Sequence, residues 1–419
     1  MGVSAALRRF AFAAPTAFPV LGLGGGPLWR NYLRDRPVRP TRAPHHADLL
    51  VLAGEIPSAW SAALRSLFET FALPRAAIWL RPAWPCAAPE GLPLAEGDPS
   101  RALLDLDAPA HRPLLEDRPP SPWRGKGDHG QGGEGMMGGK PYGRPMAMTG
   151  PDPDGLMLGA LPTSLGPFFP GLPSGLQLEL VLQGDRIHAV QEVRNWFPEP
   201  PADAAHVALA LVPALRAAQG ADVRIADLER ARIRSHLVWA ANLLELAGLE
   251  ALARRFLARL ETVRAVELED LFGAAERTGL GRVWAGVGEL PAALVQDLGL
   301  VGPVARASRQ PADVRAGDPG YARLGFEVQT RGGRDVWARW LVRRDECLQS
   351  ARLLEAAGQH LTRAAESPRG AVALAADGLR TPSRANLAAL EHLLPGLLWS
   401  EAVLAVASLD LDMAEAALR

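Results

Sequence analysis

The sequence predicts a doubly wound α/β domain at the N-terminal end, followed by an α+β, mostly helical, C-terminal domain. Three observations carry this. Residues 47–80 show strand, helix and strand patterns in succession. Residues 119–150 form a proline- and glycine-rich break. Beyond that break a hairpin pattern gives way to long stretches with helical spacing of apolar residues. The expected divisions are therefore 1–118 for the first domain, 119–150 for a Gly/Pro/Met-rich linker and 151–419 for the second domain.

Ala47 to Gly54 is a short apolar run ending in glycine, as in a buried parallel strand. Ser58 is placed to cap the next helix, and Trp60, Ala63, Leu64, Leu67, Phe68 and Phe71 fall on one helical stripe. Pro74 stops that helix, and Ala76 to Leu80 reads as the next strand. In the linker, Pro119, Pro120 and Pro122 lead into Gly125-Lys-Gly-Asp-His-Gly-Gln-Gly-Gly-Glu-Gly-Met-Met-Gly-Gly139, a low-complexity tether.

Leu176-Gln-Leu-Glu-Leu-Val-Leu182 alternates, and Gly184-Asp185 supplies a hairpin turn. Residues 226–263 read as helix, with Leu237, Ala240, Ala241, Leu244 and Gly248 on one face and Leu249, Leu252, Phe256 and Leu260 continuing the pattern. A second hairpin is expected at Gly325 to Thr330 and Gly332-Gly333, followed by a helix from Asp335 to about Leu361. Ala388 to Leu418 reads as mostly helical.

Net charge is −1, which argues against nucleic acid as a partner, since DNA-binding chains carry a strong basic field. No dense Lys/Arg run offers itself to anionic lipid. Cys86 and Cys347 are the two cysteines, too few and too far apart for a disulfide framework, which fits a reducing compartment. No stretch reaches the roughly 18 to 20 apolar residues of a spanning helix. Arg8-Arg9-Phe10 faintly resembles a twin-arginine signal, but Pro15 and Pro19 interrupt the apolar part. The plainer expectation is an exposed amphipathic N-terminal segment.

Ala43-Pro-His-His-Ala-Asp-Leu-Leu-Val-Leu-Ala-Gly54, the helix pattern at Ala62 to Glu69 and Pro74-Arg75 resemble the B subunit of NADH:quinone oxidoreductase (complex I) and the small subunits of membrane-bound [NiFe] hydrogenases. The second part resembles the D subunit of the same enzyme and hydrogenase large subunits. The segments that carry this are Leu165-Gly-Pro167, the hairpin with its turn at Gln183-Gly-Asp185, and Arg232-Ile-Arg-Ser-His-Leu-Val-Trp239. Gly302-Pro303, Arg306, Tyr321, Phe326, Trp340-Leu-Val-Arg343, Glu346 to Ser350 and Ala405-Val-Ala-Ser-Leu-Asp410 then follow in order.

The resemblance implies metal centres for which this chain lacks ligands. A [4Fe–4S] cluster is normally held by four thiolates. The first ligand site reads Gly22-Leu-Gly-Gly-Gly-Pro27, so Gly22 and Gly24 stand at degenerate positions and Cys86 near a third. A nickel–iron centre needs two Cys-x-x-Cys pairs, and the second would fall at Asp412 and Glu415. The family's quinone-facing Gly-Pro-x-His-Pro loop reads Gly166-Pro-Phe-Phe-Pro170, where Phe169 can neither donate nor accept a proton. No catalytic residue, metal ligand or cofactor is therefore expected.

Other signals have plainer readings. Cys86 reads as a small buried or loop thiol and Cys347 as structural. Gly22 to Pro27 lacks the last glycine of a dinucleotide fingerprint and follows no clear strand. His111, His129, Met136 and Met137 could hold a soft metal, though a solvated tether fits their surroundings better. His45, His46 and His236 read as structural or surface histidines.

The resemblance implies a non-catalytic or scaffold subunit, attached peripherally on the cytoplasmic side of the cell membrane. Its implied partners are membrane-embedded antiporter-like proteins and proteins like the H subunit of complex I. The apolar, proline-punctuated segments Ala5 to Leu21, with Phe10 and Phe12, and Phe168 to Pro173, with Phe168 and Phe169, are the docking candidates. The alternative is a divergent oxidoreductase subunit that still binds quinone or another small molecule between its domains.

Overall fold

A computed structural model describes residues 13–96, 99–105, 107–112, 148–151, 157–198, 211–261, 264–376 and 378–418. Phe10, Phe12, His129, Met136 and Met137 lie outside the described residues. The chain divides into two compact units between Thr163 and Ser164, with Val181–Gly184 grouped with the first.

The first unit is built on a parallel sheet. Strands β1 (Thr16–Leu21), β2 (Arg39–Pro40), β3 (Leu49–Ala53) and β4 (Ala76–Leu80) lie in the order β2-β1-β3-β4, and each neighbouring pair runs parallel. Helix α1 (Gly25–Asp35) follows β1, and helix α2 (Ser61–Glu69) connects β3 to β4. All five residues of β3 are buried, as its unbroken apolar run requires. Trp60, Leu64, Phe68 and Phe71 are buried on the expected helical stripe. Arg75 is also buried, and its guanidinium donates to the carbonyls of Phe68 at 2.8 Å and Ala110 at 2.9 Å.

Three expectations change here. Thr16–Leu21 is not an exposed docking segment but an inner strand, with Ala17, Phe18 and Val20 buried. Pro19 is tolerated because β2 pairs only with Thr16 and Ala17, so no ladder bond to β2 is needed at its nitrogen. The glycine cluster does follow a strand, and it opens helix α1. Ser58 does not cap through its side chain; its carbonyl accepts from Ser61 Oγ at 2.8 Å inside a one-turn 3₁₀ helix.

The second unit is mostly helical. The hairpin Leu176–Gln183 and Arg186–Asn195 turns at Gly184, whose φ of 61 is the left-handed value such a turn requires. Helix α3 (Ile225–Leu246) ends before Gly248, and a short helix, Glu250–Leu257, resumes the pattern. Helix α4 (Val336–Ala356) begins at Asp335, whose side chain accepts from Ala338 N at 2.7 Å. It ends at Ala356, short of Leu361. The C-terminal stretch is three short helices, including α5 (Trp399–Ser408) and α6 (Met413–Ala416).

The hairpin expected at Gly325 to Gly333 does not form. The side-chain amide of Gln349 takes the place of a ladder partner, accepting from Glu327 N at 2.9 Å and donating to Glu327 O at 2.8 Å. Phe326 packs edge-on to Tyr321 and lies under the Arg315 guanidinium at 4.4 Å.

The main core gathers Leu237, Ala240, Ala241 and Leu244 of α3 with Trp340, Cys347 and Ala351 of α4. Trp340 is its hub, with ring contacts to Trp239, Phe256, Phe272 and Trp284. Apolar packing on this side leaves the opposite sides of α3 and α4 to an unusual buried polar seam.

Candidate functional site

Glu229, Arg232 and His236 recur on α3 at helical spacing, as do Arg339, Arg343, Glu346 and Ser350 on α4. All seven are buried, with none more than 1% exposed. Charged groups so enclosed must be paired and hydrogen-bonded to persist.

Glu229 accepts from Tyr321 Oη at 2.5 Å, from Ser350 Oγ, and from Arg315 Nη1 at 3.3 Å. Burial alone would raise its pKa, but Arg315 and Arg232 outweigh that and hold it below the usual carboxylate range. Glu346 accepts from Arg306 Nε at 2.7 Å and contacts His236 Nε2 at 3.1 Å. Here too burial is overcome, first by Arg306, and the carboxyl stays well below its ordinary value. Glu366 differs: burial and then Asp313 push it up, against the pull of Arg306, to which it is bonded at 3.0 Å.

His236 has one consistent tautomer. Arg343 Nη1, which can only donate, lies 3.2 Å from His236 Nδ1. Nδ1 therefore accepts, and the proton sits on Nε2, which donates to Glu346. Burial lowers the His236 pKa to about 4, so the ring is neutral near pH 7. The expectation of a structural histidine fits this geometry.

A second cluster lies around Arg369. Its Nη1 is 3.0 Å from Glu415 Oε2, its Nε is 3.5 Å from Asp410 Oδ2, and its Nη2 is 3.7 Å from Asp412 Oδ2. Glu415 Oε1 accepts from Ser383 N at 2.9 Å, so both carboxylate oxygens are engaged. Asp412 Oδ1 caps α6, accepting from the Ala414 and Glu415 nitrogens at 3.1 Å. Burial, followed by the opposing attraction of Arg369 and the repulsion of Asp412, leaves the Glu415 pKa raised.

In the first unit the glycine turn is sealed from within. A Cβ on Gly22 would stand 2.1 Å from Glu55 O, and one on Gly24 would stand 2.5 Å from the Trp84 ring. Gly24 also has a φ of 70, which L side chains rarely adopt. Trp84 is fixed by Nε1 donating to Glu55 Oε2 at 2.7 Å. Cys86 is partly buried, and burial followed by Glu55 raises its pKa, away from the thiolate a metal requires.

These residues do not fit the implied metal centres. Gly22 and Gly24 offer neither thiolates nor space for them, and Asp412 and Glu415 offer hard oxygens already committed to a helix cap, a backbone N–H and a guanidinium. Among the described residues no group of three or more His, Cys, Asp or Glu is arranged to hold a metal ion. Cys347 is fully buried, and burial raises its thiol pKa.

The remaining candidates are placed as follows. Phe168 and Phe169 are both half-buried. Phe169 packs edge-on to Trp399 with ring centroids 5.1 Å apart, so the loop rests on its own unit. His45 and His46 are exposed in a one-turn helix, and His111 is half-buried.

Sequence reasoning marked Arg232, Arg306, Tyr321, Arg343 and Glu346 as points of resemblance but did not see them as one buried network, and it missed Glu229, Arg315, Glu366 and Arg369 altogether. The available signal was charge at helical spacing on α3 and α4, inside helices otherwise apolar enough to be core.

A sequence profile described as "Respiratory-chain NADH dehydrogenase, 49 Kd subunit" matches residues 247–376. That span contains Arg306, Arg315, Arg343, Glu346, Glu366 and Arg369, while Asp410, Asp412 and Glu415 lie outside it. The chain is similar to the second NADH-quinone oxidoreductase D subunit of Solibacter usitatus, with 29% identity over 170 residues, 32% of this chain and 46% of the relative. The corresponding protein of Sinorhizobium medicae is 49% identical over 72 residues, 17% of this chain and 18% of the relative. The NADH-quinone oxidoreductase D subunit of Salinibacter ruber is 28% identical over 197 residues, 32% of this chain and 44% of the relative. The chain thus spans less than half the length of these curated relatives. Among solved structures, a chain of the membrane-bound sulfane sulfur reductase, an archaeal respiratory membrane complex, aligns with TM-score 0.45 at 19% identity, over 61% of this chain and 98% of that one. The chain is related to the D subunit of NADH-quinone oxidoreductase.

Proposed function

We propose that this chain is a non-redox, peripheral member of a complex-I-like membrane assembly, with one part like the D subunit and one part like the B subunit on a single polypeptide. The observation that carries the reading is the engagement of Glu415 by Arg369 and Ser383 N, with Asp412 spent on a helix cap. At Glu415 both carboxylate oxygens are bonded, and at Asp412 one oxygen is spent on the helix cap while the other faces Arg369 Nη2 at 3.7 Å. The relation to the D subunit supports placement in a complex-I-like assembly. Partners would be membrane-embedded antiporter-like proteins and proteins like the H subunit, met on the cytoplasmic side. No described helix is long and apolar enough to cross a membrane, which is consistent with attachment through such partners.

The buried network gives the second unit a fixed shape without a metal. Each carboxylate of the seam is held by at least one guanidinium, hydroxyl or imidazole, so α3 and α4 are locked in register by directional bonds as well as by packing. A rigid body of this kind suits docking. Affinity purification from membranes, with mass spectrometry of co-purifying chains, tests the proposal. Recovery of antiporter-like and H-subunit-like proteins is expected, and recovery of the chain alone would refute it.

A further inference from the structure

The parallel sheet of the first unit ends on one side at β4, and that edge is only partly covered. The order β2-β1-β3-β4 fills the first four places of the common doubly wound order 2-1-3-4-5, so the fifth place lies beside β4. Ala76 N donates to Asp48 O at 2.9 Å and Leu80 O accepts from Gly54 N at 3.0 Å, both on the β3 side. Ala77 O accepts from Ala95 N at 2.7 Å on the other side, where Leu94 makes a single parallel bridge to Ala77. Successive residues of a strand turn their N–H and C=O groups to opposite sides, so Trp79 and Arg81 present theirs outward with Ala77. Among the described residues no strand or loop is bonded to Trp79 or Arg81 on that side.

Beside this open end runs a groove of about 490 Å³ between α1 and β4. Leu28, Tyr32, Asp35 and Arg36, at i, i+4, i+7 and i+8, form one stripe along α1 and its C-cap, and Trp79, Leu80 and Arg81 form the opposite wall. Trp79 Nε1 donates to Gly54 O at 2.7 Å, which fixes the indole and leaves its ring as an apolar wall. The Arg81 guanidinium carbon lies 5.2 Å from the centre of that ring. Arg36 and Arg81 are exposed, and neither is paired with a carboxylate among the described residues. Asp35, the acidic lining residue, is held by Arg34 Nε at 3.0 Å. Even with Glu55, which acts with Arg81 on the Cys86 thiol, Arg34, Arg36 and Arg81 outnumber the carboxylates. The rim is therefore positive and selects an acidic occupant.

We propose that the open end of β4 accepts an extended acidic segment of a partner protein as an added strand, with one aromatic or branched apolar side chain of that segment seated in the groove. Main-chain bonds to Trp79 and Arg81 set the register, and the groove takes the anchor. Arg36 and Arg81 give the preference for flanking Asp or Glu, so an edge that would otherwise pair indiscriminately becomes selective. The site belongs to the first unit alone and stands or falls separately from the proposed function.

The test is selection of a displayed random-peptide library on the immobilised full chain, followed by fluorescence-anisotropy titration of the enriched peptides. Enriched sequences should carry Asp or Glu around one aromatic or branched apolar residue. Arg36→Glu combined with Arg81→Glu, both at exposed positions, should weaken their binding by about tenfold or more. N-methylation of the peptide backbone should weaken binding at alternate residues only, as strand pairing requires. No enrichment, enrichment of neutral or basic sequences, equal binding by the double variant, or indifference to N-methylation would overturn the proposal. If the double variant does not fold, the N-methylation series on the unsubstituted chain decides. Self-association of the chain that the double variant abolishes would assign the edge to a second copy, which also overturns it.

Discussion

Arg369 Nη1 lies 3.0 Å from Glu415 Oε2, and the carboxylate is fully buried. Removing one partner of such a pair leaves an uncompensated charge in the interior. Arg369→Met is expected to cost about 3–5 kcal/mol of stability, measured by denaturant unfolding. Arg369→Met combined with Glu415→Gln should cost less than Arg369→Met alone, because the amide is neutral and can still accept from Ser383 N. Additive losses would show that the pair is not coupled.

His236 sets a pH dependence. Its pKa falls from 6.5 to about 4 on burial, so the unfolded chain binds this proton first as pH drops. The stability from the neutral, bonded ring is complete above pH 6.5 and is lost as pH falls through about 4, by about 3 kcal/mol in total. His236→Gln should flatten the dependence of melting temperature on pH across this window. Parallel curves for the two proteins would exclude His236 as the source.

Glycine at positions 22 and 24 is demanded by space. Gly24→Ala should cost at least about 1–2 kcal/mol from the left-handed backbone, before any displacement of Trp84. Gly22→Cys with Gly24→Cys should destabilise the first unit and, after anaerobic purification, carry no stoichiometric iron or acid-labile sulfide. Cluster assembly in that variant would show that the turn tolerates thiolate ligands.

Phe169 and Trp399 should be energetically coupled. A double-mutant cycle to alanine is expected to give about 0.5–1.5 kcal/mol of interaction. If the loop also docks a partner, replacing Phe168 and Phe169 with Ser should weaken membrane association by about 1 kcal/mol or more per buried anchor. Unchanged association would remove the loop from the interface.

Much of the first unit was legible because β3, α2 and β4 each follow one clear pattern: an apolar run, a helical stripe and a second apolar run. β1 was missed because Pro15 and Pro19 disguise a strand whose pairing demands they do not violate. The absent hairpin at Gly325 to Gly333 shows the converse. Glycine-flanked residues with strand character found a side-chain partner, Gln349, instead of a strand. The buried seam was hardest to read. Arg and Glu on a helix usually mark its solvent face, and their burial depends on partners far apart in sequence, such as Arg306 with Glu366 and Arg315 with Glu229. The Arg369 cluster joins segments 41 to 46 residues apart, so nothing local announces it.

Membership of a complex-I-like assembly is tested most directly by affinity purification of the tagged full chain from gently solubilised membranes, with mass spectrometry of everything that co-purifies. Stoichiometric antiporter-like and H-subunit-like proteins are expected, released together with the chain by agents that break protein contacts. Recovery of the chain by itself, equally distributed between soluble and membrane fractions, would contradict it.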